Sequence, residues 1–340
     1  LPGESSREES RSVDRSTPSS QPWRAHFPDA ARWDAPLEIG VLPDLLAVSL
    51  RDFPDRPAIS FRDAVLSYRE FGDLIDRVAA GFLDLGIVHG DTVALYLPNT
   101  PFHPICFFAL TKIGARVAHV SALDAPREVE HKLRDSGAVA LITTNLPGLL
   151  PKALAHRREN LRILVGDDAR WGEGGSGVPV ELSDDILSLD ALMMTDPRVS
   201  YPIVTMDDVA LLQYTGGTTG MPKAAMLTHG NLTASVSMYR CWNEPERPPP
   251  GYGRTLCVLP LFHIYALSTV MLRCFRESDE LVLQARFDAE NVVATIERKR
   301  ITGFAGVPTM WIALANHPDI EKRDLSSLRF CSSGGAPLPV

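Results

Sequence analysis

A run of glycines, threonines and one lysine lies between Tyr214 and Leu232, where the sequence is YTGGTTGMPKAAMLTHGNL. Glycines let the backbone approach an anion closely and present successive N–H groups to it. Threonine hydroxyls add further donors, and the lysine adds a positive charge. These residue types predict a phosphate-binding loop, with a plain flexible turn as the weaker alternative. The residues concerned are Thr215, Gly216, Gly217, Thr218, Thr219, Gly220 and Lys223.

Two common nucleotide-binding motifs do not fit this segment. A Walker A loop needs Gly-Lys followed by Ser or Thr, but Met221 and Pro222 separate Gly220 from Lys223, and Ala224 follows. A dinucleotide fingerprint needs G-x-G-x-x-G after a strand, and the segment from Tyr214 to Leu232 contains none. The phosphate loop is therefore of another kind.

Three later segments contain further candidate residues. LPLFHIYAL contains His263, VPTMW contains Trp311, and CSSGGAPLP contains Gly334 and Gly335 followed by Ala336 and Pro337. Each has an ordinary structural interpretation: a histidine or tryptophan in the core, and glycines that end a strand. The glycine pair is the stronger candidate because a loop at the carboxyl end of a strand is where open α/β sheets bind ligands.

Taken together, these motifs resemble the AMP-binding, adenylate-forming superfamily, which includes acyl-CoA synthetases, luciferases and non-ribosomal adenylation domains. The resemblance covers about residues 38–340. It implies that the phosphate loop holds ATP, that His263 faces the acyl substrate as a catalytic and substrate-binding residue, and that Trp311 lines an acyl tunnel. It also implies that residues 334–337 lie between the adenine and the acyl group.

The resemblance implies a two-step reaction. A carboxylate attacks the α-phosphate of ATP, which forms an acyl-adenylate and releases pyrophosphate, and the thiol of coenzyme A then displaces AMP. Mg²⁺ would accompany the ATP, although no residue of the chain is assigned to it. The motifs are most similar to those of fatty-acyl-CoA ligases, which implies a medium- or long-chain fatty acid. An aryl- or amino-acid-adenylating enzyme, or a non-catalytic nucleotide- or acyl-binding module, stays an alternative.

Several parts of the family pattern have no match in the 340 residues. These are an aromatic-Gly-x-Thr-Glu segment, a ribose-binding aspartate, a hinge, and a small C-terminal domain with a catalytic lysine. We therefore expect the chain to be the N-terminal portion of such an enzyme, and to turn over very slowly or not at all by itself.

Composition narrows the remaining possibilities. The chain has 34 basic and 42 acidic residues, a net charge of -8, so an electrostatic case for nucleic-acid binding is lacking. Its five scattered cysteines form no C-x-x-C pair, and no apolar run approaches the ~18 residues of a membrane helix. We expect a cytoplasmic protein with a disordered tail over residues 1–22; a homodimer is left open.

Strand-like and helix-like segments alternate along the chain, which predicts an α/β fold with parallel sheets flanked by helices. The division that we expect is an N-terminal α/β subdomain over 23–200 and a second over 201–340. The phosphate loop is predicted to join a strand over 209–214 to a helix over 231–242. The charged residues around Lys132 are predicted to form a solvated helix face.

Overall fold

The computed structural model describes residues 34–215, 220–243 and 248–337. Within them the chain forms two β-sheets with helices on their faces. Thirteen strands build the sheets: β1 Pro57–Phe61, β2 Ala64–Ser67, β3 Thr92–Leu95, β4 Arg116–His119, β5 Ala138–Thr144, β6 Arg162–Gly166, β7 Ile186–Ser188, β8 Val209–Thr215, β9 Lys223–Thr228, β10 Arg254–Cys257, β11 Glu280–Leu283, β12 Gly303–Gly306 and β13 Phe330–Ser333.

Ten α-helices connect or cover these strands: α1 Ala47–Asp52, α2 Tyr68–Asp84, α3 Phe102–Lys112, α4 Pro126–Asp135, α5 Leu150–Leu154, α6 Leu189–Leu192, α7 His229–Asn243, α8 Arg273–Arg276, α9 Ala289–Lys299 and α10 Pro308–Ala315. The segment Ala266–Leu272, which leads into α8, is a π-helix. Short 3₁₀ turns cover Leu42–Leu46, Asp168–Trp171 and Ile320–Lys322. No helix in these described ranges is long and apolar enough to cross a membrane.

Both sheets are mostly parallel, which confirms the predicted fold class. The first has the strand order β13-β12-β10-β11-β1-β2, and only the β1–β2 pair is antiparallel. The second has the order β7-β6-β5-β3-β4-β8-β9, and only the β8–β9 pair is antiparallel. All four residues of β3 are buried, as expected for a parallel strand that is covered on both faces of its sheet.

The two sheets do not divide the chain at residue 200. The hairpin β1–β2 pairs with β11 and so belongs to the sheet built otherwise from residues 254–333. The strands β8 and β9 pair with β4 and so belong to the sheet that begins at residue 92. The boundary near residue 200 therefore falls inside the second sheet, and strands β8 and β9, on either side of the predicted phosphate loop, belong to that sheet.

The core between the sheets is rich in aromatic side chains. Every residue from Phe102 to Thr111 of α3 is buried. The Phe275 ring, which is fully buried, lies 4.9 Å from the ring of Phe71 and 5.7 Å from that of Phe108. One continuous cluster of buried apolar residues includes side chains from both sheets. The relative position of the two sheets is therefore maintained by packing.

Two buried histidines predict how stability depends on pH. Burial lowers the pKa of His119 and of His229 to about 4, from an ordinary value of 6.5. The unfolded chain therefore binds more protons between pH 6.5 and 4, so stability falls as the pH falls through this window. Each histidine should lower the free energy of unfolding by about 2 kcal/mol between pH 7 and pH 5.

Urea unfolding at pH 7 and pH 5 measures this loss. In the double variant His119→Asn/His229→Asn neither site titrates. The asparagine amide oxygen introduced at position 229 can still accept from the Leu42 N–H, which in the wild type bonds to His229 Nδ1 at 3.0 Å. The variant should show a shallower pH dependence than the wild type. An identical pH dependence would contradict the assignment.

Candidate nucleotide and acyl site

The predicted phosphate loop is flanked by strands β8 and β9, which pair antiparallel with Thr215 opposite Lys223. These two paired strands are called the phosphate hairpin. The predicted strand and helix on either side of the loop are present as β8 and α7, but the structure adds the edge strand β9 between the loop and α7, which the sequence analysis did not identify. Residues Gly216, Gly217, Thr218 and Thr219 lie outside the described residues. The hairpin register nevertheless holds the two ends of the segment, at Thr215 and Lys223, side by side.

Helix α4 supports one face of this hairpin. His131 Nε2 donates a hydrogen bond to the carbonyl oxygen of Pro222 at 2.8 Å, and the Tyr214 hydroxyl donates to Asp135 Oδ2, also at 2.8 Å. Burial, reinforced by the Asp135 carboxylate, raises the pKa of Tyr214. A cavity of about 900 Å³ opens between α4 and the hairpin, and Gly220 and Lys223 are among its lining residues. The chain is thus held by α4 on both sides of the predicted phosphate loop, at Tyr214 and at Pro222.

Lys132 departs from the prediction of a solvated face. Its side chain is only 8% exposed and forms an ion pair with Asp124 at 2.5 Å. Its Nζ also lies 5.5 Å from the centre of the Tyr214 ring. The alternation of charge along the helix could not distinguish this lysine from its exposed neighbour Arg134, since both belong to one charged run.

The second group of candidate residues lies at a switch point of the first sheet. Strands β10 and β12 are neighbours, yet the chain leaves β10 toward β11 on one side and leaves β12 toward β13 on the other. Open α/β sheets bind ligands in the crevice that such opposite connections leave at the carboxyl ends of strands. His263 follows β10, and Val307 follows β12, so both segments border this crevice.

Asn99 holds the segment after β10 in place. Its Nδ2 donates to the carbonyl oxygens of Leu259 and Gln284 at 2.9 and 3.2 Å, and its Oδ1 accepts from the N–H of Leu261 at 2.9 Å. Asn99 is 4% exposed, so these bonds replace water inside the protein. Sequence analysis did not single it out, since it is one asparagine in the run LPN.

His263 is exposed, so the interpretation of a buried core histidine does not hold. Its Nδ1 accepts a hydrogen bond from the N–H of Tyr265 at 3.3 Å, which leaves Nε2 as the outward atom of the ring. An exposed imidazole with one nitrogen oriented by the backbone can approach a bound molecule. Its role toward an acyl group stays a prediction.

The glycine pair after β13 packs against the His263 segment. The Tyr265 hydroxyl lies 3.1 Å from Ser332 Oγ, and a Cβ at Gly334 would come within 2.9 Å of the Tyr265 ring. Gly335 has a φ of 80°, in the left-handed region that favours glycine. Gly335, Ala336 and Pro337 are exposed. Only a glycine at 334 lets this turn approach Tyr265 so closely.

Trp311 joins the same cluster from α10. Its Nε1 donates to the carbonyl oxygen of Ser332 at 3.2 Å, and its ring lies 5.0 Å from that of Phe304. A Cβ at Gly306 would lie 3.0 Å from Trp311 Nε1. The side chain is half-buried, so one part packs on the core and another part faces outward. Its role as tunnel lining stays a prediction.

Gln213 connects the hairpin to the segment that contains His263. It lies two residues before Thr215 on β8, is 8% exposed, and donates from Nε2 to the carbonyl oxygen of Phe262 at 3.2 Å. Phe262 immediately precedes His263. Strand β8, which leads to Thr215 and the predicted phosphate loop, is thus connected across the two sheets to the segment that contains His263. Sequence analysis did not identify Gln213, because a glutamine within an apolar strand gives no local signal of a contact 49 residues away.

The family model described as "AMP-binding enzyme" matches residues 46–340. The chain belongs to the AMP-binding enzyme family. A long-chain-fatty-acid–CoA ligase of Bacillus subtilis is 32% identical over 339 residues, and 4-coumarate–CoA ligase 1 of Oryza sativa is 33% identical over 277 residues. The described residues of this AMP-binding family member include the β8–β9 hairpin and, later in the chain, the glycine turn after β13.

A solved structure shows a similar fold. The anthranilate CoA ligase AuaEII, in complex with anthranoyl-AMP, superimposes with a TM-score of 0.74 at 26% identity, over 90% of this chain and 57% of its own. The Bacillus ligase alignment covers 95% of this chain and 60% of that protein, and the rice ligase alignment covers 81% and 48%. This AMP-binding family chain thus spans about half to three fifths of the length of the curated relatives that it matches.

Proposed function

We propose that the protein containing this chain activates a carboxylic acid with ATP. The acid forms an acyl-adenylate with release of pyrophosphate, and coenzyme A then displaces AMP to give an acyl-CoA thioester. Family membership supports the chemistry, since relatives named as acid–CoA ligases match most of the chain. The observation that carries the proposal is the Gln213 contact, which joins the phosphate hairpin to the His263 segment.

In this reaction the protein aligns two anions that repel each other. A carboxylate oxygen must approach the α-phosphorus opposite the departing pyrophosphate, so both partners need fixed positions and compensating positive charge. Lys223, at the start of β9, would supply charge to the phosphates, and the Thr215 hydroxyl would supply a donor. The exposed His263 and the turn at Gly334 would border the acyl group and the adenine.

No residue in the described part of the chain is assigned to Mg²⁺. No group of three or more His, Cys, Asp or Glu side chains there could hold a metal ion. Mg²⁺ therefore enters the proposal only as the counter-ion that accompanies the triphosphate, and no step is assigned to it. The chain's own contribution is to bind and orient the nucleotide and the acid.

For the acid, we propose a medium- or long-chain fatty acid. The Bacillus subtilis relative is a long-chain-fatty-acid–CoA ligase, and its alignment covers 95% of this chain. Aryl acids are the second candidate, because 4-coumarate–CoA ligase 1 and the anthranilate CoA ligase are similar to the chain to a comparable degree. We expect activity with unbranched acids of about eight carbons or more, in keeping with the ~0.8 kcal/mol that each buried methylene contributes.

Acid-dependent exchange of labelled pyrophosphate into ATP tests this proposal on the protein expressed from its complete gene. A panel should contain fatty acids of increasing length, 4-coumarate, anthranilate and the common amino acids. Exchange that rises with chain length would support the fatty-acid assignment. Exchange confined to aryl or amino acids would overturn the fatty-acid assignment. If no acid in the panel supports exchange, adenylation itself is overturned.

Lys223→Met should raise the KM for ATP about tenfold and leave the KM for the acid within about twofold, since a charged contact to phosphate contributes ~1.5 kcal/mol or more. The hairpin register places this residue beside Thr215. Pyrophosphate exchange at varied ATP concentration measures the change. Lys152→Met, at an exposed position on α5, is the matched control and should change neither constant. Equal ATP constants for the two variants would contradict the role of Lys223.

A further inference from the structure

A buried hydrogen-bonded pair lies behind the His263 segment. The side chains are His119, at the carboxyl end of β4, and Gln213, on the neighbouring strand β8. His119 Nδ1 lies 3.1 Å from Gln213 Oε1, and Gln213 Nε2 lies 3.2 Å from the carbonyl oxygen of Phe262. Both side chains are more than nine-tenths buried. The three groups form a continuous hydrogen-bonded chain from the second sheet to the segment that contains Phe262 and His263.

Only one arrangement of donors and acceptors satisfies this chain. The Phe262 carbonyl can only accept, so the amide nitrogen of Gln213 must face it. The amide oxygen of Gln213 then faces His119, so His119 must donate from Nδ1. Burial lowers the pKa of His119 to about 4, so the ring is neutral at physiological pH and has a single proton. That proton lies on Nδ1.

Packing leaves the His119 ring little freedom. Its centroid lies 5.1 Å from that of the His103 ring and 6.2 Å from that of the Phe107 ring. Both neighbours belong to α3 and are fully buried. The imidazole therefore cannot turn away from Gln213 without displacing the core helix between the sheets, and the orientation of the Gln213 amide follows from it.

We propose that His119 and Gln213 are positioning residues that fix the Phe262–His263 peptide relative to the phosphate hairpin. The inference rests on the proposed function. Gln213 lies on the strand that leads into the phosphate loop, and it bonds to the segment proposed to border the acid. Through this bond, movement of either segment displaces the other. The pair thereby sets the distance between the carboxylate and the α-phosphorus, on which in-line attack depends.

Three variants test the positioning role by pyrophosphate exchange, with the complete protein and a fatty acid. The Nδ2 of asparagine occupies the place of a histidine Nδ1, so His119→Asn keeps a donor to Gln213, whereas His119→Leu removes it. Gln213→Glu keeps an acceptor for His119 but loses the donor to Phe262. We expect His119→Leu and Gln213→Glu to lower kcat and raise the acid KM, together about tenfold or more in kcat/KM. His119→Asn should stay within about twofold of wild type.

Tyr68→Phe controls for a general loss of stability. It removes a buried hydrogen bond of similar type, from the Tyr68 hydroxyl to the carbonyl oxygen of Asp279 at 2.7 Å, away from the site. Its melting temperature should fall while kcat and both KM values stay unchanged. If the wild-type protein is active but His119→Leu and His119→Asn have equal kinetic constants, the positioning role alone is overturned. Absence of acid-dependent exchange by the wild type would instead overturn the proposed function and this inference together.

Discussion

Replacing Gly334 by alanine is expected to lower acid-dependent pyrophosphate exchange about a hundredfold, because misplacement of a reacting group by about 1 Å costs that much. The added Cβ would lie 2.9 Å from the Tyr265 ring, closer than real side chains approach. Tyr265 cannot simply move aside. Its hydroxyl contacts Ser332, and its N–H bonds to the His263 ring. The turn or the His263 segment must therefore shift.

The control for this variant is Gly148→Ala, since a Cβ at Gly148 meets nothing within 4 Å. That substitution should leave exchange unchanged. Thermal unfolding of both variants shows whether either has lost its fold. Retention of full exchange by a folded Gly334→Ala protein would show that the close contact with Tyr265 has no part in the site.

Phe275→Ala should produce the largest loss of stability, about 3–5 kcal/mol, as expected for truncation of a fully buried aromatic ring. The ring contacts the rings of Tyr68, Phe71 and Phe108, and α8 provides it from the segment that follows the His263 loop. A cavity there would weaken the contact between the two sheets. Denaturant unfolding followed by intrinsic fluorescence measures the loss.

Val199→Ala is the matched apolar truncation at the surface, because Val199 is fully exposed. It should change the free energy of unfolding by no more than about 0.5 kcal/mol. A similar small change in Phe275→Ala would mean that the inter-sheet core repacks around the missing ring, and would contradict the view that this cluster maintains the arrangement of the sheets.

The sequence was sufficient for the fold class and most elements, because buried parallel strands and amphipathic helices leave local patterns. The helix over 68–84 shows this, since it has a capping box of Ser67 and Glu70 and a buried apolar face. Strand β9 had no such pattern. Its residues KAAMLT are mostly exposed or half-buried and favour strand structure weakly, so the segment resembled an extension of the phosphate loop.

The assignment of strands to sheets was not predictable in the same way. The pairing of β1 with β11 joins residues more than 200 positions apart, such as Ile59 and Leu281. Apolar patterns predict that a strand is buried but not which strand lies beside it. A division at residue 200 therefore seemed natural along the chain, although the hairpin β8–β9 extends the earlier sheet.

Some residues of the candidate site could be identified from the sequence and others could not. Motif residues such as His263, Trp311 and Gly334 could be identified from the sequence, and the structure brings their segments together around Tyr265 and Ser332. Asn99 and Gln213 could not be identified, because each acts through backbone carbonyls far away in sequence. Their importance depends on tertiary position, which their residue types do not reveal.

Transfer of an oxygen atom tests the central claim most directly. The complete protein should be incubated with ATP, coenzyme A and a long-chain fatty acid whose carboxylate contains oxygen-18, and the AMP analysed by mass spectrometry. If the carboxylate attacks the α-phosphorus, one labelled oxygen must appear in AMP when the thiol displaces it. Unlabelled AMP accompanied by acyl-CoA, or a labelled orthophosphate in its place, would contradict an acyl-adenylate intermediate.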